Sequence, residues 1–148
     1  MKKRFKKYQA QTISNPLGLE IKKAKGSFIY SQNKKYLDFV AGVSVNNLGH
    51  SNSEINKAIN EQLDKYSHVM VYGEFVQEKS IVLCELLSEL LPKKLNCTYL
   101  TNSGTEAIEA SLKLAKRITG RQKIVSMKNA YHGSTHGSLS VSGYEKRK

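Results

Sequence analysis

Apolar and polar positions alternate through residues 19–40, in Leu19-Glu20-Ile21, Gly26-Ser27-Phe28-Ile29-Tyr30 and Tyr36-Leu37-Asp38-Phe39. Turn residues break the run at Lys25-Gly26 and Ser31-Gln32-Asn33, so the pattern predicts short strands joined by tight turns. From Gly42 to Ser53 the chain is rich in Asn, Gly and Ser and reads as a loop. The period then changes to that of a helix. Ile55, Ala58, Ile59, Leu63 and Tyr66 fall on one face of a helix starting near Ser53. A second helix is expected from about Glu74 to Leu91, stopped by Pro92.

The last third reads as strand, helix, strand. Cys97–Thr101 and Lys123–Met127 are the expected strands. Between them, Thr105–Thr119 is a helix with Ile108, Leu112, Ala115 and Ile118 toward the core and Gly120 as its stop. Such a unit of about 31 residues predicts a right-handed crossover between parallel strands. The expected fold class is α/β, with a small α+β region (residues 1–70) before the start of a larger parallel-sheet domain (residues 71–148).

With 148 residues, 39% of them hydrophobic and only two prolines, the chain is long enough for a hydrophobic core and is not of disordered composition. It has no run of 18 apolar residues, so no membrane span is expected. The basic start, Met1 to Tyr8, resembles a signal n-region, but Gln9 to Asn15 is polar and supplies no apolar segment after it. Cys84 and Cys97 share no metal or redox spacing and are expected to be buried, reduced thiols of a cytoplasmic protein. His50, His68 and His136 likewise have no metal-ligand spacing.

The formal net charge of +12 invites a nucleic-acid reading. Its lysines, however, stand in short groups at Lys2–Lys7, Lys22–Lys25, Lys34-Lys35, Lys93-Lys94 and Lys146–Lys148, mostly at expected turns and chain ends. No recognition helix, zinc finger or base-stacking aromatic pattern accompanies them. A solvated basic surface explains them, and a nucleic-acid partner is not expected.

Candidate chemistry concentrates at Thr101-Asn102-Ser103-Gly104-Thr105-Glu106-Ala107, the turn from strand to helix. A helix N-terminus has unpaired N–H groups and the positive dipole end, so it holds a phosphate dianion well. Gly104 has no side chain to keep an anion away, and the hydroxyls of Ser103 and Thr105 can add donors. The same residues match a capping box, in which Ser103 and Glu106 satisfy backbone N–H groups without any ligand. After the next expected strand comes Asn129-Ala130-Tyr131-His132-Gly133-Ser134-Thr135. Loops at the C-terminal strand ends of a parallel sheet form its ligand crevice. An aromatic residue there could stack on a flat ring whose phosphate the first loop holds.

Asn102 to Ala110 followed by Tyr131-His132-Gly133 resembles the class III aminotransferases of the acetylornithine/ornithine type. The resemblance takes in Tyr36 to His50 and Tyr72-Gly73-Glu74-Phe75, and so runs through nearly the whole chain from about Pro16. It implies the N-terminal portion of a fold-type I homodimer that uses pyridoxal 5′-phosphate at the subunit interface. Backbone N–H groups of Gly104 and Thr105 would hold the cofactor phosphate, with Ser103 alongside. Tyr131 would stack on the pyridine ring, and His132 and Gly133 would shape that wall. Val43 matches a position at the substrate mouth, and residues 69–75 resemble a segment reaching toward the partner subunit. The implied reaction passes nitrogen from an amino donor to the cofactor and then to a 2-oxo acid, usually 2-oxoglutarate.

Departures from the family pattern bear on substrate. The cofactor-binding lysine and the aspartate that pairs with the pyridine nitrogen would lie beyond Lys148, and Lys128 matches no such position. Ser134 stands where many members have an arginine for a substrate carboxylate, and Tyr-His-Gly-Ser-Thr resembles the ω-amine branch instead. Ornithine-specific members place a tyrosine at the Val43 position. The leading expectation is an acetylornithine-like ω-amino donor. The alternatives are an amine–pyruvate type of transaminase, another phosphate-binding α/β enzyme, or, more remotely, a basic nucleic-acid-binding module.

Overall fold

The computed structural model describes residues 1–70 and 73–143. It divides into two compact units, Met1–Phe75 and Val76–Lys148. In the first unit a short basic helix α1 (Lys2–Tyr8) precedes three strands, β1 (Ile21–Lys25), β2 (Phe28–Ser31) and β3 (Lys34–Leu37). They form an antiparallel sheet in the order β1-β2-β3, with Lys25 opposite Phe28 and Ser31 opposite Lys34. Both connections are therefore two-residue turns, at Gly26-Ser27 and Gln32-Asn33, where sequence reading expects them. Gly26 and Gln32 take positive φ there, 54° and 51°. Lysine ammonium groups lie over aromatic rings of this sheet, Lys35 over Phe28 at 3.7 Å and Lys23 over Tyr30 at 5.7 Å. Part of the basic surface thus covers apolar faces.

Residues 42–53 are not simply a loop. Ala41–Ser44 (α2) is one turn of left-handed helix, with φ between 46° and 67° at all four residues. Ser44 N–H donates to Val40 O and Val45 N–H to Ala41 O, both at 3.0 Å. Left-handed backbone costs about 1–2 kcal/mol per L-residue, and a β-branched valine is an unusual occupant. The strain is held in place by Asp38. Its Oδ1 accepts the N–H groups of Val40 and Ala41 at 3.0 Å, and its Oδ2 accepts His50 Nε2–H at 2.7 Å. His50 is itself anchored by paired backbone bonds to Gly26, 2.9 and 2.8 Å. With its proton on Nε2, its Nδ1 is left to accept from Asn46 at 3.5 Å. Gly49 is needed beside it, because an added Cβ would lie 3.2 Å from Gly26 Cα and its φ is 85°.

The hydrogen bond from His50, then the two N–H groups, holds the Asp38 carboxyl below the usual carboxylate range. A carboxyl lowered on folding stabilises the folded state fully above its unfolded pKa of about 3.9, and that contribution is lost as pH falls through the lower folded value. The 38–46 segment should therefore lose amide protection, corrected for intrinsic exchange, below about pH 4. In an Asp38→Asn variant the protection should already be low at pH 7. Protection that persists unchanged to pH 2 in the parent would show that Asp38 does not hold the turn.

Helix α3 (Ser53–Lys65) begins where the pattern places it. Asn52 caps it, its side chain accepting from the N–H groups of Glu54 (3.0 Å) and Ile55 (3.2 Å). In the second unit, α4 (Glu78–Leu90) starts later than Glu74 and ends before Pro92. Helix α5 (Gly104–Thr119) ends on Gly120 at φ 67°, the left-handed stop expected of it. A five-residue helix α6 (His136–Ser140), unforeseen from its Gly/Ser-rich sequence, closes the described part.

Three expectations need correction. Cys97–Thr101 and Lys123–Met127 flank α5 but form no ladder with each other or with any described residue, so no parallel pair is present. A strand exists only where a neighbour takes its N–H and C=O groups, which apolar alternation alone cannot supply. Nor do the described residues enclose a hydrophobic core: none of their apolar side chains is buried. On the expected inner face of α5, Ile108 and Leu112 are half-buried, while Ala115 and Ile118 are exposed. Cys84 is half-buried and Cys97 exposed rather than both buried. Val71 and Tyr72, in the segment expected to reach a partner subunit, lie outside the described residues, as do Tyr144–Lys148.

Candidate functional site

The capping box expected at the N-terminus of α5 is made, and it does not use the two N–H groups expected to hold a phosphate. Ser103 Oγ accepts from Glu106 N–H at 3.3 Å, and Glu106 Oε2 accepts from Asn102 N–H at 2.9 Å. The capping box is therefore made, with its return bond shifted one residue ahead of Ser103. It leaves the N–H groups of Gly104 and Thr105 with no acceptor among the described residues. A Cβ added to Gly104 would meet nothing within 4 Å. Two free donors at the positive end of a sixteen-residue helix, under an open glycine, suit a phosphate dianion.

Thr105 contributes differently from Ser103. Its hydroxyl lies 2.7 Å from Thr135 Oγ1 and 2.6 Å from Ser138 Oγ. Only its N–H is left open, so the expected hydroxyl donor is already engaged within the protein. These contacts bring the segment after Ala130 onto the first turn of α5. Gly133 makes the approach possible: at φ 128°, a Cβ there would press into Thr105 and Ser138. Tyr131 is 54% exposed, and its hydroxyl shares a 3.0 Å hydrogen bond with Ser134 Oγ. Ser134 thus fixes the phenol hydroxyl.

The far side of the loop is closed by backbone. His132 N–H donates to Ser142 Oγ at 3.0 Å, Ser142 Oγ donates to Ser138 O at 2.9 Å, and Gly143 N–H donates to Ala130 O at 2.8 Å. Ser138 and Ser142 are fully buried. Neither these serines, nor Thr135, nor Glu109 is signalled by the sequence. Glu109 and Thr135 appear there only as members of the two motif runs, and the serines only in the hydroxyl- and glycine-rich run from Ser134 to Gly143.

Ser103, Gly104, Thr105, Tyr131, His132, Gly133 and Ser134 therefore lie in one unit, with loop and helix start in direct contact. Val43 belongs to the other unit, on the left-handed turn, and is 82% exposed. Among the described residues no group of His, Cys, Asp or Glu is set to hold a metal, and no helix is long and apolar enough to cross a membrane.

The family model described as Aminotransferase class-III matches residues 8–148. An acetylornithine aminotransferase of Archaeoglobus fulgidus is 39% identical over 144 residues, 97% of this chain and 37% of that protein. Among solved structures, the adenosylmethionine-8-amino-7-oxononanoate aminotransferase of Methanocaldococcus jannaschii superposes with a TM-score of 0.90 at 32% identity, covering 98% of this chain and 36% of that one. Taurine:2-oxoglutarate aminotransferase from Bifidobacterium kashiwanohense, solved in complex with PLP and glutamate, superposes at 0.85 with 31% identity, covering 99% and 33%. The chain spans about a third of the length of the relatives it matches. Its fold is that of the corresponding part of these α/β enzymes.

Proposed function

The chain belongs to the class-III aminotransferases, and from that premise we propose that it is the N-terminal part of a pyridoxal-phosphate-dependent transaminase. The reaction proposed moves an amino group from an ω-amino donor, acetylornithine-like, to a 2-oxo acid such as 2-oxoglutarate. One observation carries this reading. Two unpartnered N–H groups lie under the open face of Gly104, and the loop bearing Tyr131 is packed onto the same helical turn.

The residues divide the work. Gly104 and Thr105 hold the phosphate through their N–H groups, and the Ser103 hydroxyl keeps its proton free to donate to it. Tyr131, its hydroxyl bonded to Ser134, would stack on the pyridine ring, and His132 and Gly133 would shape that wall. When bound, the cofactor supplies an electron sink for the pair left as the donor loses its proton. Residues 1–70 are proposed as the α+β region and 71–148 as the start of the large cofactor domain. The whole protein is proposed to act as a cytoplasmic homodimer.

Val43 is proposed to select among donors. Its side chain offers no hydrogen bond to a free α-ammonium, and leaving such a group unpaired costs about 1–3 kcal/mol. Ser134 already bonds to Tyr131, and one hydroxyl cannot replace the paired bonds of an arginine on a carboxylate. The full-length enzyme should therefore use acetylornithine roughly tenfold or more better than ornithine, judged by kcat/KM. A panel of acetylornithine, ornithine, 4-aminobutyrate and an uncharged primary amine tests this with 2-oxoglutarate as acceptor. If ornithine wins, the role given to Val43 is wrong. If the plain amine wins, the donor is of the ω-amine type. If the protein takes up no pyridoxal phosphate, the whole reading fails.

A further inference from the structure

Between α5 and the loop that follows residue 130 lies a row of oxygen atoms whose proton order can be worked out. Glu109 Oε1 accepts from Thr135 Oγ1 at 2.6 Å and from Ser138 N–H at 3.0 Å. An ionised carboxylate only accepts, so the single proton of Thr135 is committed to Glu109. The 2.7 Å contact between Thr105 and Thr135 is then a hydrogen bond only if Thr105 is the donor. With the Thr105 proton committed in turn, its 2.6 Å contact with Ser138 requires Ser138 to donate. Ser138 to Thr105 to Thr135 to Glu109 is thus the only order that makes all three short contacts hydrogen bonds. Ser138 is fully buried, so its proton is shared only among protein oxygens, Thr105 Oγ1 at 2.6 Å and, at longer range, Thr135 Oγ1 at 2.9 Å and Thr135 O at 3.2 Å.

From this order and its place in the fold we infer that Glu109 is a positioning residue, whose carboxylate clamps the loop of Tyr131–Thr135 and the start of α6 to the first turns of α5. The inference rests on the proposed reading only in naming what the clamped parts bind. Glu109 is half-buried on α5, one turn beyond Thr105, and reaches partners 26 and 29 residues away in sequence. Gly137 allows the backbone of α6 to come so close, since a Cβ there would run into the Glu109 carboxylate. The Thr135 hydroxyl, and after it the Ser138 N–H, holds the carboxyl below its usual range, so it stays ionised as the proton order requires. Charge-assisted bonds of this kind are about twice as strong as neutral ones.

The clamp is distinct from catalysis, because Glu109 needs no contact with substrate or cofactor to act. Its effect passes through the relative placement of the phosphate turn and the ring wall. Loss of the carboxylate should loosen residues 130–143 and weaken cofactor binding, while KM for the donor, measured at saturating cofactor, changes little.

The test uses the full-length enzyme with Glu109→Ala, Glu109→Gln and Thr135→Val. Two readouts are taken: hydrogen exchange of residues 130–143 in the cofactor-free protein, and affinity for pyridoxal 5′-phosphate. Glu109→Ala should speed exchange and weaken affinity about tenfold, equivalent to about 1.4 kcal/mol. Glu109→Gln keeps the reach and an acceptor oxygen and should fall between that variant and the parent. Adding Thr135→Val to Glu109→Ala should cost little more than Glu109→Ala alone, since both remove the same link. Unchanged exchange and affinity in Glu109→Ala, or effects of the two changes that simply multiply, would overturn the inference. Should Glu109→Ala fail to fold, Thr135→Val alone decides it, with faster exchange supporting the clamp and parental exchange refuting it. If the parent binds no pyridoxal phosphate, the functional reading falls, while the exchange data still judge the clamp.

Discussion

In the full-length protein, Gly133→Ala is expected to detach the aromatic loop from α5 and to weaken pyridoxal phosphate binding by at least tenfold. Two independent penalties act at this position. Its φ of 128° lies where L-residues are rarely found, which costs roughly 1–3 kcal/mol. An added Cβ would also press into both the Thr105 side chain and Ser138 Oγ. Overpacking of this kind costs about 1–3 kcal/mol more. Ser138 is buried and bonded on every side, so it cannot swing away. The cheapest escape is for the loop to lift, which breaks the Thr105–Thr135 link and carries Tyr131 off the phosphate turn. Hydrogen exchange should report this as lost protection at residues 132–142, where His132, Leu139 and Ser142 N–H groups are bonded. Full protection together with parental cofactor affinity would mean that the close approach of Gly133 to Thr105 has no functional weight.

Parts of this architecture were legible in the sequence because their causes are local. The three strands and their two-residue turns follow from alternation broken at Gly26 and Gln32-Asn33. Helices α3 and α5 follow from apolar spacing, and α5 also from Ser103 and Gly120, whose capping bonds are made within a few residues. The turn before α5 was legible as a choice between cap and ligand site. The cap uses the N–H groups of Asn102 and Glu106 and leaves those of Gly104 and Thr105 without an acceptor among the described residues, so the proposed phosphate site does not compete with it.

What escaped depends on contacts distant in sequence. The left-handed turn at Ala41–Ser44 contains one glycine and two valine neighbours, and nothing in its composition announces four positive φ values. It exists because Asp38 reaches forward to Val40 and Ala41 while His50 reaches back from twelve residues on. Helix α6 is made of His, Gly, Ser and Leu, poor helix formers apart from the leucine, and is held instead by Glu109 and Thr135. Segments 97–101 and 123–127 have strand composition but no pairing partner among the described residues, and Tyr99 and Val125 are 80% and 97% exposed. Parallel strands draw their neighbours from distant parts of a chain. The described residues correspond to about a third of the relatives' length. Ile55, Ile59 and Leu63 of α3 and Ile118 of α5 have the right spacing for packing but are exposed among the described residues.

Gly104→Val separates the two uses of the α5 N-terminus. In the protein itself the change meets no obstacle. No atom lies within 4 Å of the new Cβ, the backbone is not left-handed, and valine is a slightly better helix residue than glycine. The capping bonds of Ser103 and Glu106 do not involve the Gly104 side-chain position, so helix α5 should remain and stability should be unchanged or slightly higher. For a phosphate, in contrast, the isopropyl group would occupy the space above the two open N–H groups. A hydrogen bond to a charged group is worth about 1.5–3 kcal/mol, so losing one predicts roughly ten- to hundredfold weaker pyridoxal phosphate binding. Pyridoxal without its phosphate should bind the variant and the parent alike, because the ring wall is untouched. Gly104→Ala, with one methyl group, should lie between. Since folding is spared, a loss of affinity cannot be blamed on damage to the helix. Equal phosphate-dependent affinity in the parent and the valine variant would leave Ser103 to Glu106 as a helix cap and nothing more.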